Sequence, residues 1–298
     1  MANLFDYLDW RGDLSFSAAP FCEVDNLILC LLSYLDFSSL LLEGDRVGLP
    51  LKKLAPLYLK NGDRPPLGLL LSERYYDLLE RAAASPRFGS VRAWGHRSRL
   101  DKTREMQFSA TTFSLGCGEC FVAFRGTDDT LIGWKEDFNM TVSFPIPAQE
   151  EAAAYLAFVA NSTADRLLLG GHSKGGNLAV YAAATCEVSV GERISSVWSN
   201  DSPGFPRLTY QLGTDAFSDY GVALTVSLWY RDSSWVPINA KTEEISSVIG
   251  RGGVTCPCDG GNFWITRGSP WALSMGDEND DLIKRKVFNV TVRWNTPD

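Results

Sequence analysis

Apolar residues recur at helical spacing three times in the first ~85 positions, in EVDNLILCLLSYLDF, LPLKKLAPLYL and SERYYDLLERAAAS. That spacing predicts a mainly helical N-terminal section over residues 1–85. From 91 to 126 the pattern changes to strand-like runs, VRAWGHRSRLD, MQFSATTF and CFVAFRG, separated by turn or charged residues. A helix follows in AQEEAAAYLAFVANS at 148 to 162, then a short buried strand in DRLLLGGHS, then a small-residue helix in KGGNLAVYAAATC. Strand alternating with helix implies parallel strands joined by crossover helices, so the fold class is α/β, with a mostly parallel central sheet flanked by helices. Two further apolar runs, ISSVWSNDSPGF and VALTVSLWYRD, end in polar or turn residues, where an open α/β sheet gathers its functional groups. With no repeats, charge runs or low-complexity linkers, residues 1–298 read as a single domain on which the 1–85 section packs.

Composition narrows the function classes. The 298 residues are 45% hydrophobic and 12% aromatic, ordinary values for a buried core. A net charge of -8 and a pI near 4.9 argue against a nucleic-acid binder, which needs a basic face, and against adhesion to an anionic membrane. The most apolar window, LILCLLSYLDFSSLLL at 27 to 42, is too short to span a bilayer and carries Asp36 near its middle, so it reads as a buried helix; no stable membrane insertion is expected. MANLFDYLDWRGDLSF has acidic residues where a signal peptide has a basic region, and a cytoplasmic location is expected. Seven scattered cysteines do not form a disulfide scaffold. Cys117 with Cys120 and Cys256 with Cys258 have a spacing that zinc accepts, but SLGCGECFVAF reads as a strand-to-strand turn, and no metal site is assigned.

The chemistry concentrates in GGHSKGGNLAVYAAA, residues 170 to 184. Ser173 stands in G-x-S-x-G between a buried strand and a small-residue helix, the setting of a nucleophile elbow. Gly171 and Gly175 leave room for the turn, and the helix starting at Lys174 aims backbone N–H groups at developing negative charge. Upstream, the strand in CFVAFRGTDDTLIGWKEDFNM ends in Arg125-Gly126-Thr127. An oxyanion hole could take its N–H donors from Thr127 and Lys174, with the Thr127 hydroxyl as a third, while Asp128 and Asp129 read equally well as solvated turn residues.

FRGTDDTLIGWKEDFN and GHSKGGNLAVYAA together resemble the α/β-hydrolase branch that holds the class 3, fungal-type lipases. More closely they resemble a bacterial family of unknown function, number 2974, also called Mbeg1-like, as do FDYLDWRGDLSF, EVDNLILCLLSYLDF and NDSPGF at 200 to 205. The resemblance implies an α/β-hydrolase-like sheet and hydrolysis of a small ester or acyl substrate through an acyl-serine, with no cofactor. The order expected of such a fold is serine, acid, histidine. Asp232 in WYRDSSWVPI resembles the acid of lipase-type sequences and is preferred to Asp201 in SNDSPGF, though either aspartate could simply cap a turn.

No histidine follows Asp232. The segment that carries it in the family aligns with GGVTCPCDGGNFW, where Cys258, followed by Asp259, stands at the corresponding position. The chain's two histidines are His96 and His172. His172 precedes the nucleophile, and elbow geometry turns it away into a supporting role, while His96 reads as a core or surface residue. A Ser-Lys dyad through Lys174 would require unusual geometry, and Cys258 or Asp259 would be a poorly matched base. Losing a triad member costs several orders of magnitude in turnover, while the oxyanion hole and binding alone leave roughly 10³ to 10⁴ over water. The sequence therefore carries two readings: a serine hydrolase of low activity, or a degenerate hydrolase fold that binds an acyl ligand or a protein.

Overall fold

A computed structural model of the protein describes residues 4–60, 64, 73–128, 130–140 and 143–203. The run VALTVSLWYRD and the residues Asp129, Asp232, Cys256, Cys258 and Asp259 lie outside them.

The N-terminal section is helical, as its periodicity predicts: α1 (Leu4–Arg11), α2 (Glu23–Leu32), a two-residue strand β1 (Leu49–Pro50), α3 (Leu51–Tyr58), α4 (Arg74–Ala84) and α5 (Pro86–Gly89). Local chemistry sets the helix ends. The Asp25 carboxylate turns back to accept the Cys22 N–H at 2.9 Å at the start of α2. The Ser85 hydroxyl accepts the Phe88 N–H at 3.1 Å, with Pro86 at the first helical position of α5. The window 27 to 42 is not one helix, because α2 stops at Leu32. Beyond it the Asp36 carboxylate accepts the Ser38 N–H at 2.9 Å, a local bond that competes with helical pairing. Leu35, Phe37 and Leu41 remain buried in this non-helical stretch.

A strand region follows, with β2 (Arg92–Asp101), β3 (Met106–Ser114) and β4 (Glu119–Phe124). Cys117 sits in the turn between β3 and β4, where Gly116 and Gly118 take positive φ. Next come α6 (Leu131–Asn139), α7 (Pro147–Ala160), β5 (Arg166–His172), α8 (Lys174–Thr185), α9 (Val188–Gly191) and β6 (Ile194–Asn200). Helix α6, which the sequence reading does not assign, leaves its large apolar residues Leu131, Trp134 and Phe138 exposed.

The six strands lie in chain order, β1 to β6. The α/β class holds, and the described sheet is mixed where the alternation predicts mostly parallel pairing. β1 to β4 pair antiparallel, while β4–β5 and β5–β6 are parallel. Short turns fold β2, β3 and β4 back on one another, α3 to α5 intervene between β1 and β2, and the helical connections after β4 and β5 return the chain to the same edge. Among the described residues no helix is long and apolar enough to cross a membrane.

Strand alternation sorts the core into two layers. Cys120, Val122 and Phe124 of β4 with Leu167 and Leu169 of β5 face Leu156, Val159, Leu178 and Val180 of α7 and α8. Phe121, Ala123 and Leu168 face the other way, onto Ile28, Leu29, Leu54, Leu79 and Phe88 of the N-terminal helices. Both faces of the sheet are thus covered, and the C-terminal ends of β4, β5 and β6 meet between the layers.

Each layer also holds a fully buried ion pair. On the N-terminal side the Arg87 guanidinium bonds Asp25 at 2.7 Å and 2.5 Å, reaches the carbonyls of Leu14, Ala19 and Pro20, and stacks over Phe16. Both partners' side chains are 0% exposed.

Candidate active site

Ser173 joins β5 to α8, and its backbone has φ 56 and ψ -132. A non-glycine residue holds this conformation only when its surroundings impose it. Two things impose it here. The Ser173 N–H donates to the Asn200 carbonyl at 2.9 Å, and the Ser173 carbonyl accepts the Gly176 N–H at 3.0 Å. Around the turn the backbones pack too closely for side chains. A Cβ on Gly175 would lie 2.1 Å from the Phe124 carbonyl oxygen, and one on Gly171 would lie 2.1 Å from the Gly175 carbonyl carbon. Ser173 itself stays partly exposed, and its hydroxyl has no hydrogen-bond partner among the described residues.

The turn after β4 lies against this elbow. A Cβ on Gly126 would stand 2.2 Å from the Tyr34 hydroxyl, 2.6 Å from the His172 carbonyl oxygen and 3.2 Å from Ser173 Cβ. The Gly126-Thr127 backbone and the first turn of α8 therefore flank Ser173, the two sides from which an oxyanion hole takes donors. The backbone N–H groups of Thr127 and Lys174 have no partner among the described residues.

The Thr127 hydroxyl does not serve as a third donor. It donates to the Asp137 carboxylate of α6, 2.8 Å and 2.7 Å from its oxygens, and a hydroxyl has one proton to give. Burial pushes the Asp137 carboxyl upward, opposed by the Lys174 ammonium and by the Thr127 bond. Asp128 is a built residue, not a solvated one. Its carboxylate accepts the Thr130 N–H at 3.0 Å and hydroxyl at 2.6 Å and pairs with Arg125 at 3.1 Å, at the start of α6.

Neither histidine reaches the serine. The His172 ring bonds the Tyr34 hydroxyl through Nδ1 at 2.8 Å, on the side of the N-terminal section, and the two rings meet edge to face. Burial lowers its pKa, with the Asp201 charge pulling the other way. Asp201 is exposed after β6, with φ 49. His96 is buried where β2 bulges between Trp94 and Arg97. Its Nδ1 meets the Thr111 hydroxyl at 2.8 Å and its Nε2 meets Asp36 at 3.1 Å, so both ring nitrogens are engaged.

The Lys174 side chain leaves the serine altogether. Its ammonium donates to the Gln107 carbonyl and side-chain oxygen at 2.8 Å each and to Glu136 at 2.7 Å, using all three protons. A Ser-Lys dyad does not fit that arrangement.

Supports the sequence reading did not identify come from three places. Glu136 and Asp137 belong to the KED run just after RGT, which would have flagged them. Asn200 holds the elbow through its backbone carbonyl and through a side-chain bond to the Gly171 carbonyl at 3.1 Å. Tyr34 and Asn26 come from the N-terminal section, in EVDNLILCLLSYLDF, a stretch that carries part of the resemblance but assigns neither a role at the elbow. Asn26 and Asn200 exchange amide hydrogen bonds at 2.9 Å and 3.2 Å.

The described residues hold no group of three or more histidine, cysteine, aspartate or glutamate side chains that could bind a metal ion. Cys117 and Cys120 are free thiols.

No curated protein matches the chain. A solved structure titled "Crystal structure of M37 lipase" is similar at 13% identity and a TM-score of 0.31, covering 67% of this chain and 66% of that one. The chain thus spans just under two thirds of that protein, and at this level the likeness carries no chemistry across. The Mbeg1-like family model matches residues 82–221, the segment that runs through β2 to β6 and contains the Gly126-Thr127 turn and the Ser173 elbow. Over that segment the chain is similar to the Mbeg1-like family.

Proposed function

We propose that the protein is a serine hydrolase of the esterase type, in which Ser173 attacks a small ester or acyl substrate. The observation that carries this reading is the backbone of Ser173, held at φ 56 and ψ -132 on a strand-to-helix turn with its side chain partly exposed. A structural serine has no use for that conformation, whereas a nucleophile needs it to stand clear of the sheet. In this mechanism the Ser173 oxygen adds to the acyl carbonyl, and the N–H groups of Thr127 and Lys174 receive the oxyanion. The alcohol then leaves, and water releases the acyl group from the serine. Leu131, Trp134 and Phe138, exposed on α6 beside the Thr127 turn, supply apolar surface suited to an acyl chain.

Asp232 is the proposed acid, and Cys258 stands where the family's histidine is expected. Both lie outside the described residues. Among the described residues no base is assigned: His96 has both ring nitrogens engaged, and His172 directs its Nδ1 to the Tyr34 hydroxyl. That engagement favours a second reading, in which the same elbow and donors bind an acyl ligand without turning it over.

Labelling with a fluorophosphonate probe, together with hydrolysis of short-chain aryl esters, separates the two. The hydrolase reading expects wild type to label and Ser173→Ala not to. Equal behaviour of the two proteins would sink it. A Cys258→His variant is expected to gain activity, and unchanged background would remove Cys258 from the base position.

A further inference from the structure

Lys174 is 1% exposed and Glu136 0% exposed, so a complete ion pair is buried one residue from the candidate nucleophile. A buried pair is weak evidence for stability, because apolar residues of similar size usually do as well, and its better-attested use is to fix one arrangement over others. Here the arrangement concerns the two flanks of Ser173. Lys174 offers its N–H to one flank and sends its ammonium to α6. On α6, Glu136 takes the ammonium at 2.7 Å, while the next residue, Asp137, takes the Thr127 hydroxyl of the other flank. The Glu136 carboxylate is itself held from two more sides, by the Gln107 N–H of β3 at 3.0 Å and the Ala148 N–H of α7 at 3.0 Å.

We infer that Glu136 is a positioning residue: through its buried bond to Lys174 it locks α6 to the elbow and so sets the spacing of the Thr127 and Lys174 N–H donors. This inference rests on the proposed acyl chemistry for its purpose, while the lock itself can be tested without it. Backbone N–H donors contribute to an oxyanion only when aimed at where the charge develops. Thr127 follows a strand end and Lys174 opens a helix, and no backbone bond joins the two. Helix α6 joins them with two neighbouring carboxylates.

The test uses the full chain, as Glu136→Gln, Lys174→Met and the double variant Glu136→Gln/Lys174→Met. Hydrogen exchange resolved by residue reads the lock directly. In all three variants the amides of α6 are expected to exchange at least about tenfold faster, while β5 and α8 keep wild-type protection. The double variant leaves no buried charge unpaired, so it is expected to recover the melting temperature lost in the single variants without recovering α6 protection. Wild-type exchange in α6 of the double variant, or equal acceleration across β5, α7 and α8, would overturn the inference.

The second readout compares oxoester with thionoester substrates, since sulfur draws little on oxyanion donors. Glu136→Gln is expected to lower kcat for the oxoester by about 10²-fold, the scale of losing one such donor, with KM and the thionoester rate little changed. Equal losses on both substrates would mark Glu136 as merely structural. A wild type that neither labels nor turns over ester sinks the hydrolase reading instead, and the exchange data still decide the lock.

Discussion

The two faces of the sheet each bury one ion pair, and the pairs do different things. Arg87 and Asp25 belong to one face, where the guanidinium also collects three carbonyls from the stretch between α1 and α2. That pair closes the N-terminal section on itself. Lys174 and Glu136 belong to the other face, and their bonds run between elements: α8 to α6, α6 to β3, and α6 to α7. Similar burial and charge thus serve local closure in one place and registration of a candidate site in the other. Where the bonds lead, and not how deeply the charges sit, separates the roles.

That contrast can be tested by breaking each face in turn. Arg87→Met strands the buried Asp25 carboxylate and is expected to lower unfolding stability by about 3–5 kcal/mol in a denaturant titration. Fluorophosphonate labelling of the fraction still folded should match wild type. If labelling falls with it, the two faces are not separable in the way their bonds suggest. Gly175→Ala acts at the elbow, where a Cβ 2.1 Å from the Phe124 carbonyl forces the end of β4 and α8 apart. Its cost is expected to be roughly 1–3 kcal/mol, and here labelling should be lost even in folded protein. A stability effect of similar size, about 1–3 kcal/mol, is expected from Tyr34→Phe, which removes the hydroxyl facing His172 and leaves a part-buried ring nitrogen unpaired. Unchanged stability would show that the N-terminal section does not grip the elbow through this bond.

The smallest effect is a pH dependence, and it differs between the two sides of the elbow. Burial lowers the His172 pKa in the folded state, so on acidification the unfolded chain takes up the proton first. Stability is therefore expected to fall as pH drops through the unfolded histidine value, about 6.5, and to level off below the folded one. His172→Gln should flatten that window. Asp36 has its pKa shifted in the same direction as that of His172, but in a more acidic window. Its carboxyl is held well below the usual range, chiefly by the His96 hydrogen bond, so its contribution is present above the unfolded value near about 3.9 and is lost only below it. Melting curves between pH 8 and pH 3 should show two separate declines, and a single one would mean that one of these shifts is absent.

How much of this the sequence revealed depended on the range of the interaction. Periodicity carried α2, α3 and α4, β2 to β6, and α7 and α8, because each buries a face whose spacing the chain displays locally. Helix α6 was not read from it, and it extended α2 past Leu32, since an apolar run continues there although the helix ends with Ser33 as its C-cap. The elbow was legible because strand, glycines and small-residue helix are contiguous. Its supports were not. Tyr34, Asn26 and Asn200 lie in EVDNLILCLLSYLDF and NDSPGF, segments that carry the family resemblance, but their bonds to one another and to the elbow form only between distant positions of the chain. The Thr127 hydroxyl was misassigned for the same reason: its acceptor, Asp137, comes into reach only once α6 has formed.

The exchange of amide bonds between Asn26 and Asn200 has a consequence in time. These residues are 174 positions apart, and at 5–20 residues per second a ribosome would take about 10–35 s to supply the second after the first. Throughout that interval α2 carries a polar group destined for a dry interior but without its counterpart. The carbonyl that will receive the Ser173 N–H arrives with the same late residue. Completion of the elbow and sealing of the N-terminal helices therefore fall at one moment of synthesis, after β6 has emerged, and chains stalled before residue 200 would leave both unfinished.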